Sequence, residues 1–145
     1  MPNEYKSEVG IKLEDDMIFK CDLGQIKMDN LFIDEKNKKP HEKVGPNPSK
    51  LLALSVLGCM GASFAFCLKK YNLFLSDFKG KAIITSKRNE NGFWRLKKID
   101  IKFHPKIQNS KMRRRVDQCK KEFRQFCIIS ESLKEGIQIN TDFEY

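Results

Sequence analysis

Arginine is absent from the first 87 residues of this chain, and histidine occurs only at His41 and His104. Neither histidine lies near a cysteine in sequence, and no two cysteines form a C-x-x-C pair, which argues against a zinc site. The five cysteines, Cys21, Cys59, Cys67, Cys119 and Cys127, are odd in number. An odd count without close pairs argues against a secreted disulfide framework. The opening stretch MPNEYKSEVGIKLEDD holds no apolar run, so no signal peptide is expected and a reducing, cytoplasmic compartment fits best. Internal repeats and low-complexity tracts are also missing.

What is present points to a folded chain. The 145 residues favour a single domain over 1–145, long enough to bury one core without staples. The net charge of +9 permits attraction to nucleic acid or anionic lipid but does not set a fold. The basic residues Lys111, Arg113, Arg114, Arg115, Lys120 and Lys121 cluster on one predicted helix. Its aromatic residues, Phe123 and Phe126, fall on the apolar stripe rather than among the charges, which disfavours base stacking. Nucleic acid is therefore not the expected partner.

Residues 1–33 read as strands. Val9, Ile11 and Leu13 alternate with polar residues, then Met17, Phe19 and Cys21 share one parity, and Ile26 and Met28 continue the alternation. Turns are expected at Asp15-Asp16 and Leu23-Gly24. Residues 34–47 form a polar loop. Leu51 to Leu68 then runs for eighteen residues without a charge. Asn47-Pro48 is a helix start, and Lys69-Lys70 suits the other end of the macrodipole. A helix over 48–71 is expected, apolar all round and so buried on every side. Its length sits at the lower edge of what a bilayer requires. Ser55, Gly58, Gly61 and Ser63 lower its hydrophobicity, so a core helix rather than a membrane span is expected.

A hairpin over 78–104 turns at Asn91-Gly92, with a bulge near Lys97-Lys98. Ile99, Ile101 and Phe103 face one side of its second arm. Residues 110–135 read as helices. Met112, Val116, Cys119, Phe123 and Phe126 make one buried stripe, and a short segment from Ser130 to Lys134 ends at Gly136. Ile137, Ile139 and Thr141 suggest a closing strand over 137–145. The order implies an α+β domain.

Two glycines beside Cys59 are costly within a helix, about 1 kcal/mol each relative to Ala. Ser55, Gly58, Ala62 and Ala65 form a small-residue stripe that admits close approach of another backbone. Cys127 continues the buried stripe of the later helix, and two helices meeting at that groove could bring Cys59 and Cys127 within disulfide reach, although spacing alone does not fix the pairing. The plainer alternative is that every cysteine is a small core hydrophobe, and Cys21, Cys67 and Cys119 are read that way.

The stretch G-P-N-P-x-x-L-L-A-x-x-x-x-G-C, Gly45 to Cys59, resembles the signature of the OsmC/Ohr family, the osmotically inducible and organic hydroperoxide resistance proteins. Phe126-Cys127-Ile128-Ile129-Ser130 resembles the context of the family's second cysteine. The resemblance implies antiparallel sheets wrapped around a long buried central helix in an intertwined homodimer. It implies a thiol peroxidase with Cys59 as peroxidatic thiolate and Cys127 as resolving cysteine, needing no metal or organic cofactor. An organic hydroperoxide or another small apolar ligand would be the substrate, and a dithiol reductant would restore both thiols. Active members hold an Arg near the thiolate with a Glu at the position of Ser49. This chain offers only Lys20, Lys27, Lys43 or Lys50 as substitute cations, and Lys lacks the planar fork of Arg. The alternative is a non-catalytic redox-sensing or small-molecule-binding protein on the same scaffold.

Overall fold

The computed structural model describes residues 3–145. The first two residues of the expected 1–33 strand region lie outside it. The single domain expected over 1–145 resolves into two compact units, Met1–Leu51 and Leu52–Tyr145, with the division inside the first turn of the long helix.

The first unit is a three-stranded antiparallel sheet in the order β1 (Gly10–Asp15), β2 (Ile18–Asp22), β3 (Phe32–Asp34). Ile11 pairs with Cys21, Leu13 with Phe19, and Phe19 with Ile33. The alternation of Val9, Ile11 and Leu13 is right for a strand, but these side chains are exposed rather than half-buried. Nothing in the described chain covers that apolar row. Ile26 makes only an isolated bridge to Leu23, and the third strand begins later, at Phe32.

The polar loop after β3 is held by one carboxylate. Asp34 is fully buried. Its oxygens accept hydrogen bonds from the Lys36 N–H (3.0 Å) and the Val44 N–H (3.0 Å), and the Lys38 ammonium lies 2.9 Å away. Lys43 Nζ donates to the carbonyls of Asp34 (3.1 Å) and Lys36 (2.9 Å). Gly45 then passes so close to the Phe32 carbonyl that no Cβ fits there. The glycine of the G-P-N-P stretch is therefore required by this close approach rather than by its φ angle. Asn47 caps the long helix, α1 (Pro48–Lys69), accepting from the Lys50 N–H at 2.8 Å.

The second unit holds the rest of α1, a two-stranded antiparallel sheet of β4 (Phe78–Arg88) and β5 (Trp94–Pro105), and helices α2 (Ser110–Glu122) and α3 (Ile128–Glu135). Thr85 pairs with Lys98 and Ser86 with Leu96, so Lys97 is the extra residue of the expected bulge. Asn109 caps α2 by accepting from the Met112 N–H at 2.8 Å. The core is built from Phe64, Cys67 and Leu68 of α1 with Met112, Val116 and Cys119 of α2 and Phe123 beyond its end. Phe64 stacks on Phe103, lies tilted against Phe78 and meets Phe123 edge-on, with centroids 5.6–6.5 Å apart. Gly80 leaves the space that the Phe103 ring occupies.

Three expectations are corrected. Residues 137–145 form no strand, and Ile137, Ile139 and Phe143 are exposed, because no strand among the described residues pairs with them. The helix α1 is long and apolar enough to cross a bilayer by composition, yet it packs into the core on one side only. Leu54, Ser55, Gly58, Ala62 and Phe66 stay exposed, so it is not buried on every side. Cys67 and Cys119 are core residues as expected, but they are also joined in a disulfide across α1 and α2, with Cα atoms 5.8 Å apart. Such a bond closing a loop of 52 residues is worth roughly 4 kcal/mol in the chain-entropy account.

Burial pushes the Asp34 carboxyl up, but the Val44 N–H, the Lys38 ammonium and the Lys36 N–H outweigh it and hold it at about 2, below its ordinary 3.8. A carboxylate depressed on folding stabilises above its unfolded pKa, and that stabilisation is lost as pH falls through the folded value. Denaturation midpoints of the wild type should therefore fall as pH drops from about 3.8 towards about 2. Those of Asp34→Asn should be lower at neutral pH and flatter across that window. Superimposable pH profiles would contradict the role given to Asp34.

Candidate functional site

The site lies where the middle of α1 meets the start of α3. Cys59 is partly exposed on α1, and the Ser63 hydroxyl donates to its carbonyl at 2.8 Å. After α2 the chain tightens into a 3-10 turn, Phe123–Phe126, which delivers Cys127 as the N-cap of α3. Cys127 is fully buried. Its N–H donates to the Arg124 carbonyl at 3.0 Å, and its Sγ accepts from the Ser130 N–H at 3.5 Å. A cysteine here does what Ser or Asp does at other helix starts, satisfying an N–H that the helix leaves free.

The two sulfurs are neighbours, and each perturbs the other. Burial pushes the Cys59 thiol up, the adjacent Cys127 adds to the rise, and the Ile129 and Ile128 N–H groups oppose it. Burial also acts upward on Cys127. There the Ser130 hydroxyl and N–H, the Cys59 thiol and the Ile129 N–H outweigh it, and the Cys127 thiol is pulled below its ordinary value. The Ser130 hydroxyl is buried beside this pair and has no hydrogen-bond partner among the described residues. The N-terminal turn of α3 thus lies against the pair, with the Ser130 N–H bonded to the Cys127 sulfur and the Ile128 and Ile129 N–H groups favouring the charged form. This is the favourable end of a helix dipole for negative charge. Within the pair, the surroundings favour charge on Cys127 and disfavour it on Cys59.

Beside this pair lies a groove of about 980 Å³, floored by Val56, Met60, Phe64, Phe103, Val116 and Phe123. Lys97, Lys98, Arg113, Lys120, Arg124 and Lys134 stand on its rim with Asp100 and Asp117. Neither sulfur lines it; Ser130 does. No cluster of metal-ligating side chains occurs among the described residues.

The family model described as OsmC-like protein matches residues 39–142. This chain belongs to the OsmC-like family. Solved structures agree on the fold. An OsmC-like protein from Mycoplasma pneumoniae superposes with a TM-score of 0.66 at 15% identity, covering 90% of this chain and 89% of that one. The organic hydroperoxide resistance protein OhrB of Bacillus subtilis gives 0.64 at 17% identity, covering 90% and 91%. An OsmC-like protein of unknown function from Vibrio cholerae gives 0.68 at 9% identity, covering 89% and 94%. No curated protein matches the sequence.

For this OsmC-like chain, the structure brings Cys59 and Cys127 together. Of the four lysines named as substitute cations, Lys43 is committed to the carbonyls of Asp34 and Lys36. Ser49 sits half-buried in the first turn of α1. Sequence reasoning missed Ser130 and the α3 N-terminus. It started that helix at Ser130, because Ile128 and Ile129 are β-branched and poor helix formers and Cys is an uncommon N-cap. The legible signal was the spacing Cys-x-x-Ser, a side-chain acceptor followed three residues later by a polar donor.

Thiolate absorbance of the reduced protein, followed against pH, reads this arrangement. Ser130→Ala should move the first thiol titration upward by about one unit, the scale of one hydrogen bond to a charged group. Cys127→Ser should leave Cys59 titrating above the ordinary cysteine range. An unchanged curve in Ser130→Ala would remove Ser130 from the account.

Proposed function

We propose that this protein reduces organic hydroperoxides with the Cys59–Cys127 dithiol. The observation that carries the reading is the adjacency of the two sulfurs over the N-terminal turn of α3. Cys59 is the peroxidatic residue because it is the partly exposed sulfur, whereas Cys127 is sealed. Charge held on Cys127 reaches Cys59 by exchange of the proton between adjacent thiols. The Cys59 thiolate attacks one oxygen of the O–O bond, giving a sulfenic acid and an alkoxide that leaves as the alcohol. The Cys127 thiol then attacks that sulfur, forming the disulfide and releasing water. A dithiol reductant, itself oxidised to a disulfide, returns both thiols. The cytoplasm supplies the reducing setting for that last step.

The working form is proposed to be a homodimer. The outer face of α1 exposes Leu54 and Phe66 around the small residues Ser55, Gly58 and Ala62, and a Cβ built on Gly58 meets nothing within 4 Å. An apolar stripe with small residues at its middle suits close packing against a second copy of the same helix. The exposed row on β1 and the unpaired segment after Gly136 offer further apolar surface for that copy. A second reading, binding of a small apolar ligand without turnover, is favoured by the groove whose floor neither sulfur lines.

Treating the reduced protein with cumene hydroperoxide and mapping cysteine oxidation by mass spectrometry should give a Cys59–Cys127 disulfide within seconds. Cys59→Ser should stop peroxide consumption. A Cys59 that stays a free thiol under excess hydroperoxide would leave the binding reading in its place. For the dimer, light scattering should give twice the chain mass for the wild type and a lower mass for Gly58→Leu. A monomeric wild type would rule the dimer out.

A further inference from the structure

Two pairs of cysteines bridge the same two segments of chain. Cys59 and Cys67 are eight residues apart on α1, and Cys119 and Cys127 are eight residues apart on α2 and the turn that follows. The pairing is antiparallel: Cys59 neighbours Cys127, and Cys67 is bonded to Cys119. The four residues form two rungs, separated by roughly 12 to 14 Å at the rises of α- and 3-10 helices. The rungs differ in state and in setting. Cys67 and Cys119 are joined at the centre of the core, with 1% and 0% exposure, whereas Cys59 is partly open.

The element that carries charge to the sulfurs is poorly anchored on its own. No residue of α3 is buried, and Ile128 at its start is 72% exposed. Its position follows from where Cys127 is held. Below Cys127 the chain is fixed by Phe123 in the core and by the Cys67–Cys119 bond one rung away. Beside it Phe126 is 40% exposed, with the Phe66 ring at 5.8 Å and the Lys70 ammonium at 4.2 Å from its ring. Such surface contacts tolerate sliding, but a covalent bond does not. Displacement of a reacting group by about 1 Å costs on the order of a hundredfold in rate.

We propose that the Cys67–Cys119 disulfide is a positioning staple for the Cys59–Cys127 pair, fixing the register of α2 on α1 so that Cys127 and the α3 N-terminus meet Cys59. It takes no part in electron transfer: the bond stays closed while the other rung opens and closes. The inference rests on the Cys59–Cys127 reading of the site.

The test measures the effective concentration of the Cys59–Cys127 dithiol in glutathione redox buffers, well below the melting temperature, with alkylation and mass spectrometry reporting each cysteine. In the wild type, Cys67–Cys119 should remain closed throughout. In Cys67→Ala/Cys119→Ala the effective concentration should fall at least tenfold, and the low thiolate titration should move upward. Cys67→Val/Cys119→Ala restores much of the lost volume without the bond and should behave like the first variant. Recovery of wild-type behaviour in the refilled variant would overturn the proposal. So would effective concentrations equal within twofold, or free Cys67 and Cys119 thiols in the protein as isolated. A global loss of stability alone would lower the melting temperature but leave these readings unchanged. A parallel arm with cumene hydroperoxide separates the two ideas. If no Cys59–Cys127 disulfide forms there, the peroxidase reading fails, while the glutathione arm still decides the staple.

Discussion

Ionising a thiol against the side of an apolar helix means stripping water from a negative charge, and in this chain no arginine is available from the N-terminal third to offset that cost. In the proposed mechanism the N-terminal turn of α3 takes its place. The Ser130 N–H bonds the Cys127 sulfur, and the Ile128 and Ile129 N–H groups of the same turn favour charge on the pair. Much of the second unit can be understood as the means of holding that turn in position. Asn109 starts α2, the stripe Met112–Val116–Cys119 seats it on α1, and the 3-10 turn delivers Cys127 as the cap of α3. A charge held by backbone dipoles has a different consequence from one held by a side chain. It cannot be removed by a single charge substitution, but it is sensitive to small shifts of the helix that carries it.

The same molecule leaves apolar surface where a finished core would not. The outer face of α1, the row Val9, Ile11 and Leu13, and the residues after Gly136 all expose large apolar side chains. Exposed apolar residues scattered singly are ordinary, whereas contiguous rows of them mark contact surfaces. Gly58, costly in an isolated helix, makes sense on such a face because it lets another backbone come close. The buried carboxylate of Asp34 plays a contrasting part. It gathers the polar loop after β3 into a fixed shape and brings Gly45 against Phe32 just before the helix begins.

How much of this was legible in the sequence follows from how local each signal is. The cap at Asn47, the bulge at Lys97 and the buried stripe of α2 rest on neighbours within a few residues, and the structure places them as read, except that Phe126, expected at the end of that stripe, is exposed. The alternation at Ile137–Thr141 is equally local, but a strand exists only where another strand pairs with it, and none of the described strands pairs with this segment. The bond between Cys67 and Cys119 depends on the approach of two helices 52 residues apart, which spacing alone does not fix. The start of α3 was hidden by two β-branched residues, and with it Ser130. The family resemblance pointed to Cys59 and Cys127 as a pair but sought the compensating charge among the N-terminal lysines. The structure puts hydrogen-bond donors there from the opposite end of the chain.

The central claim is that the α3 N-terminus supplies the charge stabilisation that makes the dithiol reactive. The most direct measurement is the pH dependence of the rate at which an organic hydroperoxide converts reduced protein to the Cys59–Cys127 disulfide. The account predicts a rate that rises with pH through an apparent pKa below the ordinary cysteine value of 9.0 and then levels off. A rate that keeps climbing through and above that value, as for an unassisted buried thiol, would contradict it.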